Sequence, residues 1–475
     1  MTLAAEELAY LGAARLASLV RERRVSPVEL VRVYLERIER LDARLRAYIT
    51  VLPEAALEAA HKAEAAVLRG EALAPLHGVP YAVKDQFDTA SVRTTLGSRI
   101  LRHHAPVEDA TVVSRMAGAG ALLLGKLNMT EFALGGTREF PFGQPRNPWN
   151  PDHDPGGSSS GSGIAVAAGL CAVSLGEDTG GSVRTPASWC GVVGLRPTWG
   201  RVSRHGSFPL SWSMDTPGPL TRTVEDTALV LRIIAGHDPR DPLTSQRPVP
   251  DYAAALDAGV EGLRIGIIRE LTFGADTDAE VRAAVLDAAR RLEGLGATVE
   301  ETSLPLVPLA GAVFMALADA DGAGLHQRWL RTRPLDYDEG TRRRLLTASL
   351  IPAALHQQAA RARALLRAEL RDALVRYDLL LCPTAHQAAP TIAAGRGAVT
   401  SRAEVAGRFF TRRSYVTPAA LAGTPALALP CGFTRDGLPL SFQLLGRAFD
   451  EATLLRAARA YEQGTNWSRR RPPLA

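Results

Sequence analysis

Gly156-Gly157-Ser158-Ser159-Ser160-Gly161-Ser162 opens a stretch that closes with Glu177-Asp178-Thr179-Gly180-Gly181-Ser182-Val183-Arg184-Thr185-Pro186. Between the two, residues 163–176 are apolar, small and rich in Ala. Two Gly-Gly-Ser units therefore lie 24 residues apart, on either side of a helix-like run. Glycine lets a backbone approach another group closely and reach angles closed to other residues. Serine adds a hydroxyl. The pattern presents two hydroxyls and several free backbone N–H groups to one place. A flexible linker would share the composition of residues 156–163. Linkers, however, are rarely followed at once by an apolar helix and a second Gly-Gly-Ser. A phosphate cradle of the P-loop type needs a Lys after its last Gly, and Ser162-Gly163-Ile164 stands there instead.

Outward from this stretch the chain alternates strand-like and helix-like runs. Residues 76–83 are a short apolar run ending in Lys84-Asp85, read as a buried strand that delivers Lys84 at its end. Residues 110–126 read as a helix and then a strand at 121–125. Residues 263–268, 279–292 and 297–301 read as strand, amphipathic helix and strand, an order that favours parallel pairing. Residues 425–430 and 438–445 straddle Asp436-Gly437, a hairpin signal. The expected fold class is α/β, with a mixed sheet flanked by helices. Residues 1–70 read as helices, and Ser26-Pro27-Val28-Glu29 is a good helix start. No linker divides the 475 residues, so 1–475 is read as a single domain with a helical insertion over about 300–410.

Composition narrows the function classes. At 46% hydrophobic residues the chain can bury a large core. Cys171, Cys190, Cys382 and Cys431 are scattered without a C-x-x-C pair, which fits free thiols and a cytoplasmic location. Glu6 and Glu7 stand where a signal peptide would need an apolar region. No run of about 18 uninterrupted apolar residues appears, so no membrane span is expected. The net charge is +5. The excess is Arg spread along helical segments, such as Arg342, Arg361 and Arg371, which reads as a solvated face and argues against nucleic acid.

The chemistry can be bounded by what is missing. A Ser-His triad needs a His partner for the nucleophile, but none of the ten His lies in a motif for that role. Gly161-Ser162-Gly163 lacks the elbow spacing. No His-Glu-x-x-His occurs, so a metal hydrolase is not expected; no cofactor is expected.

The stretch 156–186 resembles the amidase signature hydrolases. Further resemblances follow in family order: Val83-Lys84-Asp85, Gly125-Lys126-Leu127-Asn128-Met129-Thr130-Glu131-Phe132, Arg146-Asn147-Pro148-Trp149-Asn150, and Gly218-Pro219-Leu220-Thr221-Arg222-Thr223-Val224-Glu225-Asp226. The resemblance implies a large twisted mixed sheet between helices, with the 300–410 region near a substrate funnel. It implies a Ser-Ser-Lys triad with Ser182 as nucleophile, Ser158 as bridge and Lys84 as base. It also implies a cis Gly157–Ser158 peptide, and an oxyanion hole from the N–H groups of Thr179, Gly180, Gly181 and Ser182. Asp178 and Arg184 are expected to pair and hold this loop. Met129, Trp212, Arg363 and Arg413 are candidate substrate contacts, Trp212 being equally open to a packing role.

The expected partner is a small-molecule amide, with a homodimer left open. The favoured reading is a stand-alone amidase releasing ammonia or an amine. The alternative is the A-type, glutaminase component of a glutamyl-tRNA amidotransferase. In such glutaminases an Asp holds the glutamine amino group, where this chain has Arg413; a cation there would disfavour an ammonium. Arg363 matches their carboxylate-binding Arg. A partner-dependent or non-catalytic member is the further alternative, against which the three intact triad positions stand.

Overall fold

Residues 4–395 and 400–474 are described by the computed structural model. Eleven strands form one sheet: β1 (Tyr48–Val51), β2 (Pro80–Lys84), β3 (Leu122–Leu127), β4 (Val173–Glu177), β5 (Val193–Arg196), β6 (Pro217–Thr221), β7 (Arg264–Ile268), β8 (Thr298–Thr302), β9 (Leu379–Pro383), β10 (Ala426–Phe433) and β11 (Pro439–Gly446). Their order is β1-β3-β2-β4-β6-β5-β10-β11-β9-β7-β8. Pairing is parallel for β3, β2 and β4 in one wing and for β9, β7 and β8 in the other. The middle of the sheet is antiparallel. The sheet is thus mixed, and helices flank it. The strands β2, β4, β5, β6 and β9 are buried at every position, which is why they read as continuous apolar runs rather than alternating ones.

Local signals set the ends of the elements. Ser26 Oγ accepts from the N–H groups of Val28 and Glu29 and so caps the helix Pro27–Leu45. Gly437 takes the left-handed conformation (φ 82°) in the β10–β11 turn, as the Asp-Gly pair requires. Five strands were not anticipated: β1, β4, β5, β6 and β9, with β4 following a shorter helix in the run that was read as wholly helix-like. β1 lies among the N-terminal helices and pairs antiparallel with β3 at the sheet edge. β9 falls inside the span expected to be helical, as the buried run Leu379-Leu380-Leu381-Cys382-Pro383. The helices Ala310–Thr332, Glu339–Ala348 and Ala353–Arg376 precede it. The segment Val307–Thr332 is long and apolar enough to cross a membrane, yet 56% of its most apolar window is buried inside this fold.

The wing that matters is β3-β2-β4. Tyr81 is level with Val173 and Val83 with Leu175. Parallel register therefore brings Lys84 and Glu177, the last residues of β2 and β4, out at the same end of the sheet. Ligands gather outside the carboxyl ends of parallel strands.

Candidate active site

The two Gly-Gly-Ser loops meet at that end. The first leads into the helix Ser160–Ala167, which is buried at every position. Its small residues are demanded by close packing. A Cβ on Gly161 would fall 2.2 Å from the Ala47 carbonyl oxygen, and one on Gly163 2.9 Å from that of Pro186. The stretch is thus a packed helix rather than a linker. The Gly157–Ser158 peptide is cis. The Ser158 carbonyl accepts from Thr130 N at 3.2 Å, and Ser159 N donates to the Ser182 carbonyl at 3.3 Å, so the two serine loops lie side by side.

Lys84 Nζ is 2.8 Å from Ser158 Oγ, 3.5 Å from the Glu177 carbonyl oxygen and 3.8 Å from Glu177 Oε2. The Lys84 and Glu177 side chains are both 0% exposed. Burial lowers the proton affinity of Lys84, while the Glu177, Asp215 and Asp178 carboxylates oppose that shift. Burial and the nearby Asp215 raise that of Glu177, with Lys84 opposing. Ser182 is half-buried. Its Oγ makes no hydrogen bond among the described residues.

The loop carrying Ser182 is held by Asp178. Its carboxylate accepts from Arg184 Nε and Nη2, both at 3.1 Å, from Arg196 Nη1 at 3.2 Å, and from Val183 N at 3.3 Å. Burial alone would raise the Asp178 carboxyl, but Arg184 and Arg196 hold it well below the usual range. Arg184 continues to Gln443 on β11 at 2.8 Å. The pairing of Asp178 with Arg184 expected from the sequence is present, and Arg196 joins it.

One expected donor is already in use. Gly181 N donates to Asp178 Oδ1 at 2.7 Å, so it is not available to an oxyanion. The reason is reach: Asp178 folds back over a three-residue turn and takes the amide. The N–H groups of Thr179, Gly180 and Ser182 have no partner among the described residues. Both loop glycines are required for space. Gly181 has φ 109°, and a Cβ there would meet Val416 at 2.4 Å; one on Gly180 would meet the Phe314 ring at 2.3 Å.

The candidate substrate contacts fall in four different surroundings. Met129 is fully buried in an apolar cluster with Leu96, Phe132, Leu134 and Leu210. It offers no surface to a ligand, and its role here is packing. Trp212 is 61% exposed and lines a surface cavity with Arg204, His205 and Asp215. Arg363 is engaged within the protein. It donates to the Leu421 carbonyl at 2.9 Å, Ser213 Oγ at 2.8 Å and the Ser213 carbonyl at 3.1 Å, and so ties its helix to two neighbouring segments.

Arg413 is different. Its Nη1 donates to the Phe409 carbonyl at 2.9 Å, and it pairs with no carboxylate among the described residues. The adjacent Arg344 takes Asp319 at 2.6 Å. Arg413 lies over Gly135, with Nη2 3.2 Å from where a Cβ would stand. Three residues on, Val416 packs against Gly181. Burial, with Arg344 and Arg412 close by, pushes the Arg413 guanidinium well below its ordinary value.

A family model described as Amidase matches residues 29–455. This chain belongs to the amidase signature family. Its architecture and activity class agree with that membership: it is a hydrolase acting on amide C–N bonds. The A-type component of the glutamyl-tRNA(Gln) amidotransferase of Moorella thermoacetica is 44% identical, covering 98% of this chain and 99% of its own. A solved structure of a vestigial protein complex, informative on the origins of an s-triazine catabolic enzyme, is 35% identical with TM-score 0.88, covering 96% of this amidase and 98% of that chain. The peptide amidase of Stenotrophomonas maltophilia is 34% identical with TM-score 0.84, covering 98% of each.

Glu177, Asp215 and Arg196 were missed by sequence reasoning. Glu177 sits one residue before the Asp178 that was noticed, but only the β2–β4 register shows that it faces Lys84.

Proposed function

We propose that this amidase cleaves its substrate through an acyl-enzyme on Ser182, with Ser158 as bridge and Lys84 as base. The observation that carries the reading is the enclosed Lys84 Nζ at 2.8 Å from Ser158 Oγ. Neutral Lys84 accepts the Ser158 proton while Ser158 accepts that of Ser182, and Ser182 Oγ attacks the amide carbonyl. The N–H groups of Thr179, Gly180 and Ser182 face the developing oxyanion. The proton returns along the same chain to the departing nitrogen. Water then releases the acyl group by the same route.

The similarity to A-type amidotransferase components, 44% identical over 98% of this chain in one case, supports an ammonia-releasing, glutaminase-type role on a primary carboxamide, alongside partner proteins. A second reading, the stand-alone amidase, is favoured by Arg413. A guanidinium with no carboxylate partner suits a substrate with an anionic group and no ammonium at that position.

Ammonia and amine release would be followed with glutamine, with carboxylate-bearing amides lacking the amino group, with neutral carboxamides and with an anilide. Preference for glutamine favours the amidotransferase role, and preference for the anionic amide favours the second. All turnover should vanish in Ser182→Ala; turnover that survives overturns the triad.

A further inference from the structure

The base assigned above needs more than burial. A lysine stripped of water and of counter-charge surrenders its proton readily, but is then a poor acceptor for the proton of a serine. Resting on the Ser182–Ser158–Lys84 reading, we infer that Glu177 is a positioning residue for that chain: its carboxylate, 3.8 Å from Lys84 Nζ, sets how readily Lys84 takes up and returns the travelling proton.

Three carboxylates act on Lys84, and their other commitments differ. Asp178 is occupied by Arg184 and Arg196. Asp215, on the loop before β6, accepts from Leu210 N at 2.8 Å, Ser211 N at 3.0 Å and Thr179 Oγ1 at 2.8 Å. Glu177 pairs with no other cation among the described residues. Its side chain is fixed by Thr216 N and by Thr179 Oγ1, both 3.1 Å from Oε1. Its backbone is clasped by the Ser159 hydroxyl, 3.3 Å from both N and O. The residue next to the bridging serine therefore anchors the carboxylate that faces the base.

The proton passes from Ser182 to Ser158 to Lys84, and the new ammonium meets Glu177 without forming a bond to it. When the amide nitrogen departs, the proton runs back. Without the carboxylate, Lys84 would hold its proton less tightly.

The test needs no known substrate. An alkyl fluorophosphonate forms a P–O bond at Ser182 with loss of fluoride, and its rate reports the fraction of Lys84 that is neutral. Labelling rates would be measured against pH for the wild-type chain, Glu177→Gln and Glu177→Asp, with thermal melts alongside. The acid limb of Glu177→Gln should move to lower pH by at least about one unit. That of Glu177→Asp, which keeps the charge but withdraws it, should fall between. A lower rate with the limb unmoved would mean a merely structural Glu177 and overturns the inference. If Glu177→Gln fails to fold, Glu177→Asp decides: a downward shift supports, and a limb identical to wild type overturns. Labelling that persists in Ser182→Ala, or that ignores Lys84→Met, overturns the triad itself, a separable result.

Discussion

Lys84 and Lys126 stand at the carboxyl ends of neighbouring parallel strands, with Val83 level with Lys126 and Lys84 level with Leu127. Both are 0% exposed, and burial lowers the proton affinity of both. Their partners differ. Lys126 Nζ donates to the Phe87 carbonyl at 2.7 Å and Thr94 Oγ1 at 2.6 Å, and faces Asp85 at 3.5 Å. Two of these groups accept its N–H bonds, and the Asp85 carboxylate opposes the effect of burial. Lys84 meets a serine hydroxyl at 2.8 Å, on a loop beside the half-buried Ser182. Burial is thus common to a structural lysine and a candidate base. What separates them is whether the neighbour can give up a proton and pass it onward.

The largest effect should follow Lys84→Met. Turnover should fall about 10²–10⁴-fold, while the fold survives because both Glu177 carboxylate oxygens keep hydrogen bonds, from Thr216 N and Thr179 Oγ1. Activity in the parent should drop about tenfold per pH unit below the Lys84 pKa, since ammonium is no base. That limb should lie below the about 10.4 of a free lysine. Lys126→Met should do the reverse. Asp85 Oδ1 has no hydrogen bond and depends on the Lys126 charge. Leaving it buried and alone should cost about 3–5 kcal/mol in denaturant unfolding, with activity per folded molecule close to the parent. A mutant pair behaving alike would break the comparison.

Thr94→Val sharpens it further. The hydroxyl accepts from Lys126 and donates to the Val92 carbonyl at 3.1 Å. Losing a hydrogen bond to a charged group should cost about 1.5–3 kcal/mol, again with little change in turnover.

The two lysines also mark what could be read before the structure. Val83-Lys84-Asp85 and Gly125-Lys126-Leu127 both stood out in the sequence, and the resemblance gave a catalytic role to Lys84 alone. The strands carrying them were visible as short apolar runs, and the mixed sheet followed from a β-α-β order and an Asp-Gly hairpin. Glu177 was not visible. An acid at a strand end reads as solvated, and its meaning comes from a register between strands 93 residues apart. The use of the Gly181 amide by Asp178 was hidden too, because a side chain's path over its own turn leaves no mark in residue order. β9 was passed over because five apolar residues between helices cannot be told from a buried helix turn by periodicity. Met129 is a candidate contact only by resemblance; its full enclosure depends on Leu96 and Leu210, distant in sequence.

The smallest effect should come from removing the Lys126 pair altogether. Replacing both charges, as Lys126→Met with Asp85→Leu, removes the unpaired carboxylate along with its partner. Buried ion pairs exchanged for apolar residues of similar volume are often neutral or stabilising. Here the Thr95 N–H and hydroxyl also lose Asp85 Oδ2, at 2.8 and 2.5 Å, which offsets part of any gain. The double variant should therefore unfold within about 2 kcal/mol of the parent, far closer than Lys126→Met alone, and should retain turnover. A double variant as unstable as the single one would show that the enclosed ammonium and its carbonyl and hydroxyl partners, rather than the pairing of charges, hold the end of β3. The corresponding exchange at Lys84 and Glu177 has no such escape. On the proposed triad, any apolar pair there leaves Ser158 without an acceptor for its proton, however well the core closes around it.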